Sequence, residues 1–447
     1  MMRSVGHPLK YDTLIYGITA AYFLWLVVIL MVFGYTPTND GDGYIEYAML
    51  CLEAGEPYPN TEIINTTSFI WNIGAINLIE LSIVLFGSWR PVLLLMCVMK
   101  ALTALLTART AERLFGRRVA MIALLVFVLY PNNWGQTTTL LSEVPAIFLL
   151  VAVVYLMLTA KRKSVLIIAG VLLFGSNYFR SIAIVIIVTF AGYYLLFDRG
   201  ALLRRLVPML AGYVLALCVV GAECYRRTGY FIYQGNALWY NVGFDAYDGA
   251  DIAPYYGTDH YAKGTPLYIE NMEAYNCFER NEIWKGRCMA WICGHKAEWI
   301  GKIPKRIMYM YYNDIDNMSF CLRDKSDATK NNITLPYRTL NKEIGRLTGA
   351  QYAALVCSLC YYIILAAFLI GTLSMVRRKE WRQLALLLMI IVIGTMSVVT
   401  VIHGESRYKE PYMPYIMIVA SAGMSCLVDK MKSARSRRAG RKPAAIR

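Results

Sequence analysis

The segment Asn39 to Asn60, NDGDGYIEYAMLCLEAGEPYPN, presents Asp40, Asp42, Glu46, Glu53 and Glu56 with almost no cation nearby. It follows directly on an apolar run, LIYGITAAYFLWLVVILMVFGY. Carboxylates at the edge of an apolar phase suit proton abstraction, because partial desolvation raises a carboxyl pKa and makes it a better base. The same residues also describe a turn followed by a solvated acidic helix face. An EF-hand calcium loop does not fit, because D-x-D is followed by Gly43 and Tyr44, which breaks the ligand order. Three later stretches carry groups of the same kind: Glu143 in YPNNWGQTTTLLSEVP, Arg180 in SNYFRS, and Glu405, Arg407, Tyr408 and Lys409 in HGESRYKEPYMP. Lys100, inside LLLMCVMKALTALL, is the most intramembrane charge. An ionisable residue within a bilayer is a functional candidate by default, and the alternative for Lys100 is a structural pair with Glu80 or another carboxylate.

These residues need elements that bring them to one level. Of the 447 residues, 57% are hydrophobic and only 17% charged, against about a quarter charged in a soluble domain. Apolar runs of roughly 18 residues or more recur along the chain, as in a polytopic membrane protein. The first, Tyr11 to Tyr35, is too long for a signal-peptide core and lacks a cleavage site, so it reads as a retained helix. The net charge of +15 does not point to nucleic acid, because the basic residues cluster between apolar runs. ARTAERLFGRR, KRK at 161–163, DRGALLRR, VRRKEWR and the tail DKMKSARSRRAGRKPAAIR are the cationic short loops of a cytoplasmic face.

Placing all of these clusters inside sets the threading. The N-terminus, with Arg3 and Lys10, and the C-terminus are cytoplasmic, in an inner cell membrane, and about ten helices cross. Spans are expected at Tyr11–Tyr35, Pro91–Thr107, Val119–Tyr130, from Pro145, on either side of SNYFRS, at Leu206–Gly221, and three more after Gly349. TSFIWNIGAINLIELSIVLFGSW is apolar enough to span, but counting it would export the arginines, so it is read as a helix lying in the outer interface. The expected organisation is a membrane module over 1–224 with its first outer loop at 34–90, a long outer loop at 225–349, C-terminal helices at 350–428 and a basic tail at 429–447. Glu270 to Asn313 reads as helical, broken near Pro304. Aromatics in YFIYQGNALWYNVGFDAYDGADIAPYYGTDHY either stack on sugar rings or pack the loop. Eleven cysteines and four histidines form no zinc-like array. Cys277, Cys288 and Cys293 allow a disulfide or free thiols.

Asp40, Tyr44 and Ala48, followed by Gly55, Tyr58 and Pro59, give D-x-x-x-Y-x-x-x-A and then G-x-x-Y-P. This resembles the first outer loop of GT-C glycosyltransferases of the protein mannosyltransferase and aminoarabinose transferase type. TAERLFGRRVAMIALLVFVLYPNN, LLSEVPAIFLLVAVVYL, SNYFRSIAIVI, AWICGHKAEWIGKIPKRIMYMYY and GESRYKEPYMPYIMIVA are similar to later family stretches, in the same order. The chain departs from the family at Gly41, where many relatives have Glu or Ser, and in having no H-P-P in the first loop.

The resemblance implies an all-α GT-C architecture with interfacial helices in the first outer loop. It implies transfer of a sugar from a polyprenyl-phosphate donor to a glycan, lipid or protein hydroxyl, with inversion, on the extracytoplasmic side. Asp40 matches the catalytic Asp of the family, Asp42 is its reserve, and Glu143 orients the acceptor or assists. Arg180 and Arg407 are the expected phosphate ligands, with Lys100 third, and Tyr44 and Tyr408 line the substrate site. No metal ligand set is expected, although a divalent cation is compatible with the chemistry. Two other classes compete: a glycan polymerase or ligase, which would use Arg and His of the long loop and tolerate loss of Asp40, and a transporter or flippase, which would need inverted repeats and broken midplane helices.

Overall fold

The computed structural model describes residues 8–246, 261, 263–322 and 348–439. Arg3, the tail beyond 439 and positions 247–260 of the aromatic stretch lie outside the described residues. Among the described residues the chain is helical throughout and has no strand. Six helices among the described residues are long and apolar enough to cross a membrane: Lys10–Phe33, Pro91–Phe115, Arg199–Thr228, Gly349–Arg377, Trp381–Val399 and Ser406–Lys432. A seventh results if Arg117–Leu129 and Asn132–Thr138, bent by 63°, are one span. The helices at the other expected spans, Glu143–Thr159, Lys163–Phe179 and Ala183–Phe197, have only 15 to 17 residues. At 1.5 Å per residue they fall short of the roughly 30 Å of a hydrocarbon core. By length and composition six or seven spans therefore qualify among the described residues, and the expected count of about ten is not confirmed.

Burial sorts the bundle into centre and rim. The last span is 78% buried inside the protein, whereas the first and the Arg199–Thr228 helix are 28% buried and turn Leu24, Met31, Val32, Val214 and Leu215 outward. Two helix pairs pack backbone to backbone. A Cβ on Gly170 would lie 1.9 Å from the Met209 carbonyl oxygen, and one on Gly371 would lie 2.1 Å from that of Val419, so only glycine permits these approaches. Helices also outrun their apolar stretches. The helix expected to end at Thr107 continues to Phe115, because Arg109 pairs with Asp12 and Glu112, each at 2.7 Å. At the same end Arg118 pairs with Asp429.

The ambiguous apolar segment forms Ile73–Phe86, and both its flanks meet the opposite end of the bundle. Asn72 bonds Tyr44 and Ser142 on one side. On the other, Trp89 packs edge-on against Tyr35, 4.7 Å between ring centroids, and Tyr35 bonds Asp42. The helix therefore lies across that end. In the long loop Cys277–Gly294, Lys296–Gly301 and Ile303–Tyr311 are helical. Pro304 opens the last of these, where its missing N–H costs nothing. All eleven cysteines are free thiols.

Candidate active site

Three chain reversals at that end carry the charged residues. Asn39–Ala54 starts where the Thr38 side chain accepts from the Gly41 N–H at 2.9 Å, with Asp40 and Asp42 in a first turn that favours negative charge. The cap explains the departure at position 41: a Cβ there would lie 2.7 Å from Thr38 Oγ1. The Thr36 N–H donates to the Thr138 carbonyl at 2.7 Å and ties this loop to the turn before Glu143. Glu143 opens Glu143–Thr159, also at a helix N-terminus. Arg180 caps the C-terminus of Lys163–Phe179, where a cation is favoured.

Arg407 sits in a tight turn, Ser406–Tyr412, that leads into the last helix. The turn is fixed from behind by Lys409, which is fully buried and donates to the carbonyls of Asn313 (2.6 Å) and Ser406 (2.9 Å). Lys409 also pairs with Asp314 at 3.0 Å. Ser406 donates to Asp316, whose carboxyl is pushed up to about 6 by burial, against the pull of Lys409.

The four residues meet although 367 positions separate the outermost two. Arg407 Nη1 lies 2.9 Å from Asp40 Oδ2, and its Nε lies 3.2 Å from Glu405 and 4.0 Å from Glu143. Arg180 Nη1 reaches Glu143 Oε1 at 2.5 Å. Both guanidiniums flank the Tyr408 ring, at 5.5 Å and 5.9 Å from its centroid, close enough for cation–π attraction. Burial works against the charge on Arg180, but Glu143 outweighs it and holds the guanidinium above its usual range. Tyr44, buried beneath, is raised first by burial and then by the charges of Asp40 and Glu143.

A cavity of about 880 Å³ opens over this cluster. Asp40, Arg180, Arg407, Tyr44 and Tyr408 line it, whereas Glu143, 2% exposed, supports the arginines from below. Asp42 is absent from the lining; it is exposed and accepts from Tyr35 at 2.7 Å. Lys100 does not reach this cavity. It is 4% exposed, donates to Gln136 and lies 5.2 Å from the Phe127 ring. Gln136 in turn donates to Glu410. Of the expected alternatives, Glu80 or another carboxylate, Glu80 is not the partner: the Lys100 chain ends through Gln136 at Glu410, which also accepts from Asn317.

The sequence reading missed Glu410 and Gln136. Glu410 stood in plain view inside YKEP, but nothing in its type said it faced inward. Asn72 and Trp71, which close the cavity, gave no signal beyond preceding an apolar helix. Among the described residues no group of three or more His, Cys, Asp or Glu side chains is placed to hold a metal ion.

A family model described as dolichyl-phosphate-mannose-protein mannosyltransferase matches residues 74–224. No curated protein matches the sequence. Among solved structures, the archaeal oligosaccharyltransferase AglB from Archaeoglobus fulgidus, in complex with an inhibitory peptide and a dolichol-phosphate, aligns with a TM-score of 0.51 at 11% identity, covering 98% of this chain and 53% of that one. The Archaeoglobus fulgidus oligosaccharyltransferase tethered to an acceptor peptide aligns with a TM-score of 0.52 at 12% identity, covering 95% and 51%. ArnT from Cupriavidus metallidurans bound to undecaprenyl phosphate gives 0.40 at 12% identity, covering 93% and 78%. The chain spans about half the length of the oligosaccharyltransferases it matches. The chain is thus similar in fold, as an all-helical polytopic architecture, to these oligosaccharyltransferases, and residues 74–224 match the mannosyltransferase model, the direction in which the sequence resemblance points.

Proposed function

We propose that the protein is an inverting glycosyltransferase that moves a sugar from a polyprenyl-phosphate donor to an acceptor hydroxyl on the extracytoplasmic face. The observation that carries this reading is one carboxylate, Asp40, and two guanidiniums, Arg180 and Arg407, lining a single cavity of about 880 Å³. A base and a doubly cationic anion site in one chamber match the two needs of the reaction. The acceptor must lose a proton, and the leaving phosphate must have its charge held. The oligosaccharyltransferase of similar fold was solved with a dolichol-phosphate, which supports a lipid-linked phosphate as the ligand of this cavity.

Asp40 takes the proton of the acceptor hydroxyl. The freed oxygen electron pair forms a bond to the anomeric carbon while the bond from that carbon to the phosphate oxygen breaks. Polyprenyl phosphate leaves with the electron pair, from the face opposite to attack. Arg407, which pairs with Asp40 at 2.9 Å, turns to the donor phosphate and releases Asp40 to act as base. Donor binding and base activation are thereby coupled. Glu143 keeps Arg180 aimed. The charge pattern supports this side of the membrane: Arg109 and Arg118 lie at the other end of the bundle with the short basic loops, as expected of a cytoplasmic face.

The test is to incubate purified protein with a panel of polyprenyl-phosphate sugars and follow release of polyprenyl phosphate. Release by the wild type and its loss in Asp40→Asn is expected. No release from any donor, or equal release by the variant, overturns the reading.

A further inference from the structure

The cavity is polarised along the Asn39–Ala54 helix. Asp40, Tyr44 and Tyr47 line it from one helix face, and seven residues of helical rise separate Asp40 from Tyr47 by roughly 10 Å. The guanidiniums are at the Asp40 end. At the Tyr47 end stands an aromatic wall of Tyr47, Phe69, Trp71 and Tyr240. Phe69 stacks on Trp71 with ring centroids 5.3 Å apart and meets Tyr240 at 4.7 Å, and Tyr47 approaches Trp71 at 6.0 Å. The wall joins two distant segments, which Asn236 pins together: its side chain accepts from the Ile70 N–H at 2.6 Å and its own N–H donates to the Ile70 carbonyl at 3.0 Å. The other polar side chains lining the cavity include the neutral amides of Asn72, Gln234 and Asn241, and among the described residues the charged ones that line it are Asp40, Arg180 and Arg407.

We infer that the aromatic end is the acceptor subsite and that the acceptor presents a sugar ring to it. The inference rests on the glycosyltransfer reading above. The donor sugar is bonded to the phosphate, so it occupies the space beside Asp40 and the arginines. A group roughly 10 Å away, on the far side of the base, belongs to the attacking partner. Flat aromatic faces cover the C–H faces of a sugar, and side-chain amides exchange hydrogen bonds with its hydroxyls without imposing charge. Peptide capture on aromatic grooves takes an extended Pro-rich segment, and its other modes draw on strand edges, amphipathic grooves or charged pockets. The described residues hold no strand, and this wall carries no charge.

The experiment offers purified protein and a working polyprenyl-phosphate donor two acceptor probes: a panel of methyl glycosides and a capped Ala-Ser-Ala peptide. Transfer to a glycoside is expected. Phe69→Leu and Tyr240→Leu should each raise the acceptor KM about three- to tenfold, the scale of one lost aromatic contact, with a smaller change in kcat and none in donor KM. These two positions are preferred over Trp71, whose ring also packs on Gly43 and would disturb the Asp40 helix. Calorimetric titration of methyl glycosides into Asp40→Asn protein reads the subsite without turnover, and adding Phe69→Leu should weaken binding by the same factor. Transfer to the peptide alone, or a glycoside KM unmoved by both variants, overturns the subsite while leaving glycosyltransfer intact. Glycoside binding that depends on Phe69 and Tyr240, in protein that turns over no donor, overturns glycosyltransfer and keeps a saccharide site.

Discussion

Two clusters of the same residue types lie in neighbouring parts of the molecule. In one, Asp40, Arg180 and Arg407 line a cavity of about 880 Å³ with Glu143 beneath them, and Asp40 and Arg407 remain 28% and 20% exposed. In the other, Lys100, Gln136, Glu410 and Asn317 form a hydrogen-bonded chain near the Lys409–Asp314 pair, with only about 10 Å³ of free space beside Lys100, room for one water at most. The difference shows that a charge at membrane depth does not by itself mark a ligand site. What matters is whether a partner can be exchanged. In the proposed mechanism Arg407 trades Asp40 for a phosphate, for which the cavity has room. Lys100 donates to Gln136, lies against the Phe127 ring and has no space beside it to receive a substrate. Such a buried network fixes how helices register, at a desolvation cost that good geometry offsets.

Variants at the two clusters should therefore separate, and the expected effects on turnover fall in order. Asp40→Asn should lower turnover about 10²-fold or more, with the thermal unfolding midpoint in detergent unchanged. Near-wild-type kinetics would move the base elsewhere. Arg407→Ala should cost about 10²-fold in turnover, as loss of an oxyanion ligand does, and Arg407→Lys about tenfold, since a point charge replaces a planar fork. An Arg that only anchors the helix would be silent as Lys in the same steady-state assay.

Lys100→Met should act on folding instead. It leaves Gln136 and Glu410 short of a cation, lowering stability by about 2–3 kcal/mol, while donor KM stays at the wild-type value. Combining it with Glu410→Met should restore part of the unfolding midpoint, and a raised donor KM would erase the contrast between the clusters. Asp42→Asn is the smallest change, about twofold or less as for an exposed residue outside the cavity. A loss matching that of Asp40→Asn would place the base one half-turn along the helix.

Much of the frame was legible. The apolar runs, the basic short loops and the position of Asp40, Glu143, Arg180 and Arg407 at turns followed from hydropathy and charge, which are local properties of a chain next to lipid. Helix ends were less legible: ion pairs such as Asp12–Arg109 extend helices beyond their apolar stretches, and the partner is 97 residues away. The cap at Thr38 accounts for Gly41 only once the Oγ1 position is known.

By itself the sequence determined that the chain is a helical membrane protein and which ionisable residues lie near turns, because the cost of exposing polar backbone or charge to lipid is paid residue by residue. Only the tertiary structure decided which of those charges share a cavity. Arg407 and Lys100 look equally functional in the sequence, and even neighbouring Arg407 and Lys409 point to opposite fates. One lines the cavity and the other is sealed against Asn313 and Asp314. That choice depends on how distant helices pack and on the space they leave between them, a quantity no local stretch of residues carries.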